Sequence, residues 1–179
     1  MQVDVTKYSM DSRYPIGRFI SSASQNPVEV QSWIDTIAAA PAKYRALAGQ
    51  LSEAALDLPY REGGWTIRQV VHHVPDSHAQ AYTRFKLALT ENQPTIKPYD
   101  EHAWAHLADY SLPVEPSLVM LEAIHTRWVH LLRSLTPEQF ERTFKHPESG
   151  VLPLWQVAGL YAWHSEHHLA HIEQALKNA

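Results

Sequence analysis

Apolar side chains recur every three to four positions along four separate stretches of this chain, the signature of helices that each bury one face. The first stretch runs from about Val28 to Gln50, with Val30, Trp33, Ile37, Tyr44 and Leu47 on one face. Pro41 falls inside it and predicts a kink or a split, because proline supplies no backbone N–H. The second opens at Trp65-Thr66-Ile67-Arg68-Gln69, where Thr66 and Gln69 have the spacing of a capping box. Ile67, Val70, Val71, Val74, Ala81, Tyr82, Phe85 and Ala88 then share a face, and Pro75 predicts a bend just after His73. A third helix is expected over about Ser117 to Leu135, followed at Thr136-Pro-Glu-Gln139 by a cap, a first-turn proline and a short helix. The fourth begins near Pro153 and continues almost to the end.

The intervening segments carry no strand pattern. The stretch up to Pro27, rich in Ser, Pro and Gly, reads as an extended arm. The connection from Asn92 to Glu115 contains Pro94, Pro98 and Pro113, with room for a short helix near Glu101 to Leu107. It is long enough to retrace the length of a bundle. These elements predict an all-α fold: one domain over residues 1–179, built as a four-helix bundle with a long crossover connection.

Composition narrows the function. A net charge of -4 gives no basic surface for a phosphate backbone, which argues against nucleic acid as a partner. No signal-like N-terminus and no run of about 18 apolar residues is present, so the expectation is a cytoplasmic protein without a membrane partner. The chain has no cysteine, so any metal must be held by nitrogen and oxygen.

Histidine supplies the candidate chemistry. Of 12 histidines, seven fall in two short runs, His72-His73-Val-Pro-Asp-Ser-His78 and His164-Ser-Glu-His167-His168-Leu-Ala-His171. Residues four apart on a helix share a face, so His167 and His171 could grip one ion, and so could His164 and His168. By helical phase, His164 and His168 lie nearer the centre of the stripe defined by Val157, Tyr161, Ile172 and Ala175. His167 and His171 lie on its flank, as does His73 on the second helix, while His72 faces away and His78 is central. Flank positions favour a groove that water reaches; central positions favour buried, hydrogen-bonded rings. A histidine from a facing helix would complete three nitrogens with one position open, the arrangement of a catalytic site.

The run Tyr60-Arg-Glu-Gly-Gly-Trp-Thr-Ile-Arg-Gln-Val-Val-His-His73 closely resembles the YfiT branch of the DinB-like superfamily. Tyr14-Pro-Ile-Gly17, Asp76-Ser-His78, Arg84-Phe-Lys-Leu-Ala-Leu-Thr-Glu91, Pro98-Tyr-Asp-Glu101 and Gly159-Leu-Tyr-Ala-Trp-His164 extend the resemblance over nearly the whole chain. It implies a four-helix bundle, a homodimer, and a metal triad of one histidine on the second helix plus H-x-x-x-H on the last. On this chain the resemblance implies His73, His167 and His171 as ligands of one divalent ion, zinc or alternatively nickel. The branch usually reads Leu-Ala-Asp where this chain has Val74-Pro75-Asp76.

The same resemblance implies transfer of a small thiol such as bacillithiol to an electrophile, or hydrolysis of a small amide or ester. A non-catalytic dimeric metal-binding module is the third reading. Three neutral imidazoles leave the ion its full charge, which suits activation of a thiol or of water. Asp100, on the crossover loop, is the candidate catalytic carboxylate. Asp76, Glu166 and Glu173 are alternatives, and Arg68 or Arg84 could receive a substrate carboxylate.

Overall fold

The computed structural model describes residues 11–179. Four long helices, α1 (Pro27–Ala48), α3 (Ile67–Thr90), α5 (Glu115–Ser134) and α7 (Leu154–Lys177), form the bundle. Three single-turn helices, α2 (Glu53–Leu56), α4 (Glu101–Trp104) and α6 (Pro137–Phe140), punctuate the connections. No helix of the described residues is long and apolar enough to cross a membrane. Residues 1–10 of the expected arm lie outside the described part, and residues 11–26 form neither helix nor strand.

α1 packs on α5 and α7, and α3 packs on the same two helices. Successive helices α1 and α3 therefore stand diagonally opposite, as do α5 and α7, an order that a plain up-and-down bundle does not have.

Local chemistry starts these helices. Thr66 accepts from Gln69 N–H while the Gln69 side chain accepts from Thr66 N–H, the capping box read from the sequence. Thr136 and Gln139 repeat it at α6. Such a cap contributes about 1 kcal/mol. α1 and α3 each run as helix without a break through Pro41 and Pro75, so neither proline splits its helix. Proline's φ is compatible with a helix, and packing on two neighbouring helices holds the turn that lost its hydrogen bond.

Two strands are present where the sequence pattern suggests none. Residues Thr143–His146 (β1) and Gly150–Pro153 (β2) pair antiparallel just before α7. Each strand is only four residues long, and in β1 Phe144 alone is buried, so no alternating pattern betrays it. The crossover lies along this hairpin, with Ile96 N–H donating to the Lys145 carbonyl at 3.0 Å and Lys145 N–H to the Pro94 carbonyl at 2.9 Å.

The core is divided in two. One apolar cluster takes Ile34 and Ile37 from α1, Phe85 from α3, Trp128 and Leu132 from α5, and Trp155 and Ala158 from α7. The other takes Tyr44, Val70, Leu121 and Ile172 from the same four helices. Between them lie buried polar groups: Ser77 and His78 on α3, His125 on α5, and Ser165 and His168 on α7. Buried polar groups cost free energy unless they find partners, so this layer must be internally hydrogen-bonded.

Candidate metal centre

The polar layer is a chain of imidazoles. His125 Nδ1 lies 2.6 Å from the Ile37 carbonyl oxygen on α1. His125 Nε2 is 2.8 Å from His78 Nδ1, and His78 Nε2 is 3.1 Å from His164 Nδ1. His164 Nε2 in turn lies 3.4 Å from His73 Nε2. On the other side, His168 Nδ1 is 3.3 Å from His171 Nδ1, and His171 Nε2 is 3.2 Å from the Arg13 carbonyl oxygen.

Among the described residues, His73, His164 and His168 each bring one ring nitrogen into a group whose atoms all lie within 4.8 Å of one another. His167, His168 and His171 make a second such group along one helix. The expected set does not form a group: His167 and His171 come together, but His73 meets His164 and His168 instead. His171 has both ring nitrogens engaged, with His168 and with Arg13. His167 stacks on Trp163 at 4.4 Å between ring centroids, and His171 stacks on Tyr60 at 4.0 Å. Flank position therefore brings these two histidines against aromatic side chains of α7 and of the loop before α3.

His72 does not face away, as its helical phase suggests. Its ring is buried, with Nδ1 2.7 Å from Ser117 Oγ and Nε2 3.0 Å from the Leu112 carbonyl. The segment leading into α5 covers that side of α3, which the sequence pattern of α3 alone cannot reveal.

Burial keeps these rings neutral. It lowers the pKa of His73 from the ordinary 6.5 to about 4, with the nearby His167 ring adding to the effect. Burial lowers His125, His167 and His171 to about 4 as well. His78, His164 and His168 are driven well below the ordinary value, first by burial and then by their histidine neighbours. Neutral imidazole is the metal-binding form.

The candidate carboxylates are engaged elsewhere. Asp100 caps α4, accepting from Ala103 N–H at 2.8 Å, and is exposed. Asp76 accepts from the Tyr110 hydroxyl at 2.8 Å, and burial raises its pKa. Glu166 pairs with Lys43 at 2.7 Å, and Glu173 lies 3.8 Å from Lys177. Arg68 pairs with Glu53 and Asp57, at 2.6 and 3.2 Å. Arg84 reaches the Lys97 carbonyl at 3.4 Å.

The histidines fit a divalent ion. Two nitrogens bound to one tetrahedral zinc, each at about 2.0–2.1 Å, lie about 3.4 Å apart, and His73 Nε2 and His164 Nε2 are separated by 3.4 Å. Both groups consist of imidazoles alone, a donor set suited to zinc or nickel. Sequence reasoning does not single out His78 or His125 as site residues. A signal exists for His125, which occupies a core position in the spacing Leu118, Leu121, His125, Trp128, Leu132.

Known proteins share both the sequence pattern and the bundle fold. The sequence profile of the DinB superfamily matches residues 36–172. A protein of Oceanobacillus iheyensis, named "Putative metal-dependent hydrolase", is 50% identical over 168 residues, covering 94% of this chain and 98% of its own. A Bacillus mycoides protein of the same name is 54% identical over 162 residues, covering 90% of this chain and 94% of its own. Among solved structures, YfiT from Bacillus subtilis, described as "a probable metal-dependent hydrolase with an unusual four-helix bundle topology", aligns with a TM-score of 0.90. It is 44% identical, over 93% of this chain and 97% of its own. A more distant four-helix bundle protein, TT2238, aligns with a TM-score of 0.58 at 21% identity, over 84% of this chain and 99% of its own, and shares the fold.

Proposed function

The chain belongs to the DinB superfamily, and we propose that it is a metal-dependent hydrolase of a small amide or ester whose ion is held by His73, His164 and His168. The observation that carries the ligand assignment is the 3.4 Å separation of His73 Nε2 and His164 Nε2 within the group that also holds His168. The reaction type follows the names of the Oceanobacillus and Bacillus relatives. Zinc is the proposed metal, with nickel as the alternative.

A divalent ion bound there supplies Lewis acidity, which brings the ionisation of a small nucleophile towards neutral pH. The protein's own groups do the rest. Three neutral imidazoles hold a 2+ charge without cancelling it. Trp65 packs against His73 at 4.8 Å between ring centroids, and Tyr161 against His164 at 5.5 Å, so the rings are walled by aromatic surface. Such walls exclude water from one side of the site and strengthen its electrostatics.

Thiol transfer is the second reading, and one observation favours it. Asp76, Asp100 and Glu166 each hold another partner, and among the described residues none of them is hydrogen-bonded to a ligand histidine. A thiol is acidic enough to be held as thiolate without a carboxylate base. We further propose that the protein is a cytoplasmic homodimer. Ile16 and Ile20 stand exposed on the N-terminal arm, apolar surface that a second copy could cover. Light scattering is expected to give twice the 20.4 kDa chain mass, and a monomeric mass would refute the dimer.

The ligand set is tested by metal analysis of protein purified without a metal affinity column. His73→Ala, His164→Ala and His168→Ala are each expected to lose zinc, while His167→Ala retains it. Loss in His167→Ala with full occupancy in His164→Ala would return the assignment to His73, His167 and His171. Zinc-loaded protein is then assayed with a panel of esters and amides, and separately with monochlorobimane plus glutathione, mycothiol or bacillithiol. Turnover of an ester or amide supports hydrolysis. Conjugation without such turnover establishes thiol transfer instead.

A further inference from the structure

We infer that His125, His78 and His171 are positioning residues, which dictate the nitrogen that His164 and His168 offer to the metal by fixing their tautomers from two backbone carbonyls. The inference rests on the reading of His164 and His168 as ligands.

A carbonyl oxygen can only accept, so the ring nitrogen facing it must carry hydrogen. The Ile37 carbonyl faces His125 Nδ1 at 2.6 Å, which puts the hydrogen on Nδ1 and leaves Nε2 as a lone pair. That lone pair faces His78 Nδ1 at 2.8 Å, so His78 donates from Nδ1 and accepts at Nε2. His78 Nε2 faces His164 Nδ1 at 3.1 Å, so His164 donates from Nδ1. Its Nε2 is left as a lone pair, and this is the atom 3.4 Å from His73 Nε2. Each neutral ring has one hydrogen to place, so one carbonyl on α1 sets three rings in succession.

The second relay works in the same way. The Arg13 carbonyl faces His171 Nε2 at 3.2 Å, which leaves His171 Nδ1 as an acceptor. His168 Nδ1, at 3.3 Å, therefore carries its hydrogen, and His168 Nε2 is the free lone pair. Both relays deliver the same result: a ligand histidine on α7 with its hydrogen on Nδ1 and its lone pair on Nε2. A histidine locked in the opposite tautomer would present N–H to a cation.

The sequence provides the anchor of the first relay. In a helix the Ile37 carbonyl would accept from the N–H four residues on. That residue is Pro41, which has none. The carbonyl is thereby free for His125, and the proline expected to kink or split α1 has a use at the site. His125 lies on α5, His78 on α3 and His164 on α7, so the relay joins all four bundle helices at the level where the two apolar clusters part.

Partners of this kind behind a ligand histidine change metal affinity about 10- to 100-fold. The test uses full-length protein and zinc alone. Side-chain 1H–15N correlation spectra of the zinc-free wild type are expected to show His78, His164 and His168 with hydrogen on Nδ1. Hydrogen on Nε2 of His164 and His168 would overturn the inference without any variant. His125→Leu should bind zinc about 10- to 100-fold more weakly in chelator competition and should show mixed tautomers at His164. His125→Gln keeps an acceptor for His78 and should recover most of the affinity. Wild-type affinity in His125→Leu, or equal loss in the Leu and Gln variants, would reduce His125 to a packing residue. Wild-type protein that binds no zinc would overturn the ligand reading itself, an outcome distinct from a failure confined to the variants.

Discussion

His72 spends both ring nitrogens on Ser117 and the Leu112 carbonyl, so it ties α3 to α5 and the segment before it. His171 spends both on His168 and Arg13. His73, by contrast, has a buried Nδ1 with no partner among the described residues and an Nε2 turned toward His164. These contacts separate the effects of substitution. His72→Ala should retain zinc while losing stability, about 1–3 kcal/mol for the unsatisfied group it leaves. His73→Ala should lose zinc. His171→Ala should fall between, with weakened rather than abolished binding, because it supports His168 without being a proposed ligand. Metal analysis alongside urea unfolding of the three variants checks the ordering, and zinc loss in His72→Ala with retention in His73→Ala would invert it.

At the scale of elements, the bundle is legible because four amphipathic stretches of helical period are long and their caps are local. Thr66 with Gln69 and Thr136 with Gln139 can be read from spacing and stand as capping boxes in the structure. The hairpin β1–β2 is hidden because four-residue strands give too few positions for alternation. The histidine site is half legible. Spacing alone identifies two candidate pairs on α7, but the choice between them depends on which face of α7 meets His73, a tertiary fact. Central position on the stripe suggests inert, hydrogen-bonded rings for His164 and His168. They are hydrogen-bonded, yet the bond that buries one nitrogen of each orients the other. Pro41 is where element and site meet. Alanine at this position would bring an N–H within reach of the Ile37 carbonyl and restore the helical hydrogen bond that proline forgoes. Pro41→Ala is expected to raise the unfolding free energy, since alanine is the better helix former. It should at the same time weaken zinc binding several-fold, because His125 must then share its acceptor. Urea unfolding and chelator competition on one preparation measure both. Gain of stability with unchanged zinc affinity would mean that the carbonyl serves both donors without loss.

For the whole molecule, the consequence of a polar layer between two apolar clusters is acid sensitivity. His73 and His125 are buried and have pKa values of about 4 in the folded protein against an ordinary 6.5. His78, His164 and His168 are shifted further in the same direction. Between pH 6.5 and 4 the unfolded chain therefore binds protons that the folded chain refuses, and stability rises with pH over that window. The contribution of the neutral rings is fully present above about pH 6.5 and is lost as pH falls toward about 4. For His125 alone the shift corresponds to about 3 kcal/mol. A loss of that size is a large share of the roughly 5–15 kcal/mol that holds a typical domain folded. Zinc-free protein should therefore unfold cooperatively in mild acid, with more than one proton taken up per molecule. The urea midpoint, measured at intervals from about pH 7.5 to 4.5, should fall steeply below about 6.5. In His125→Leu the proton uptake should drop by about one, because that ring is gone from both states. A midpoint that stays level down to about pH 5 would mean that the layer accepts protons while folded. The neutral tautomers on which the two relays depend would then not be the state of the protein.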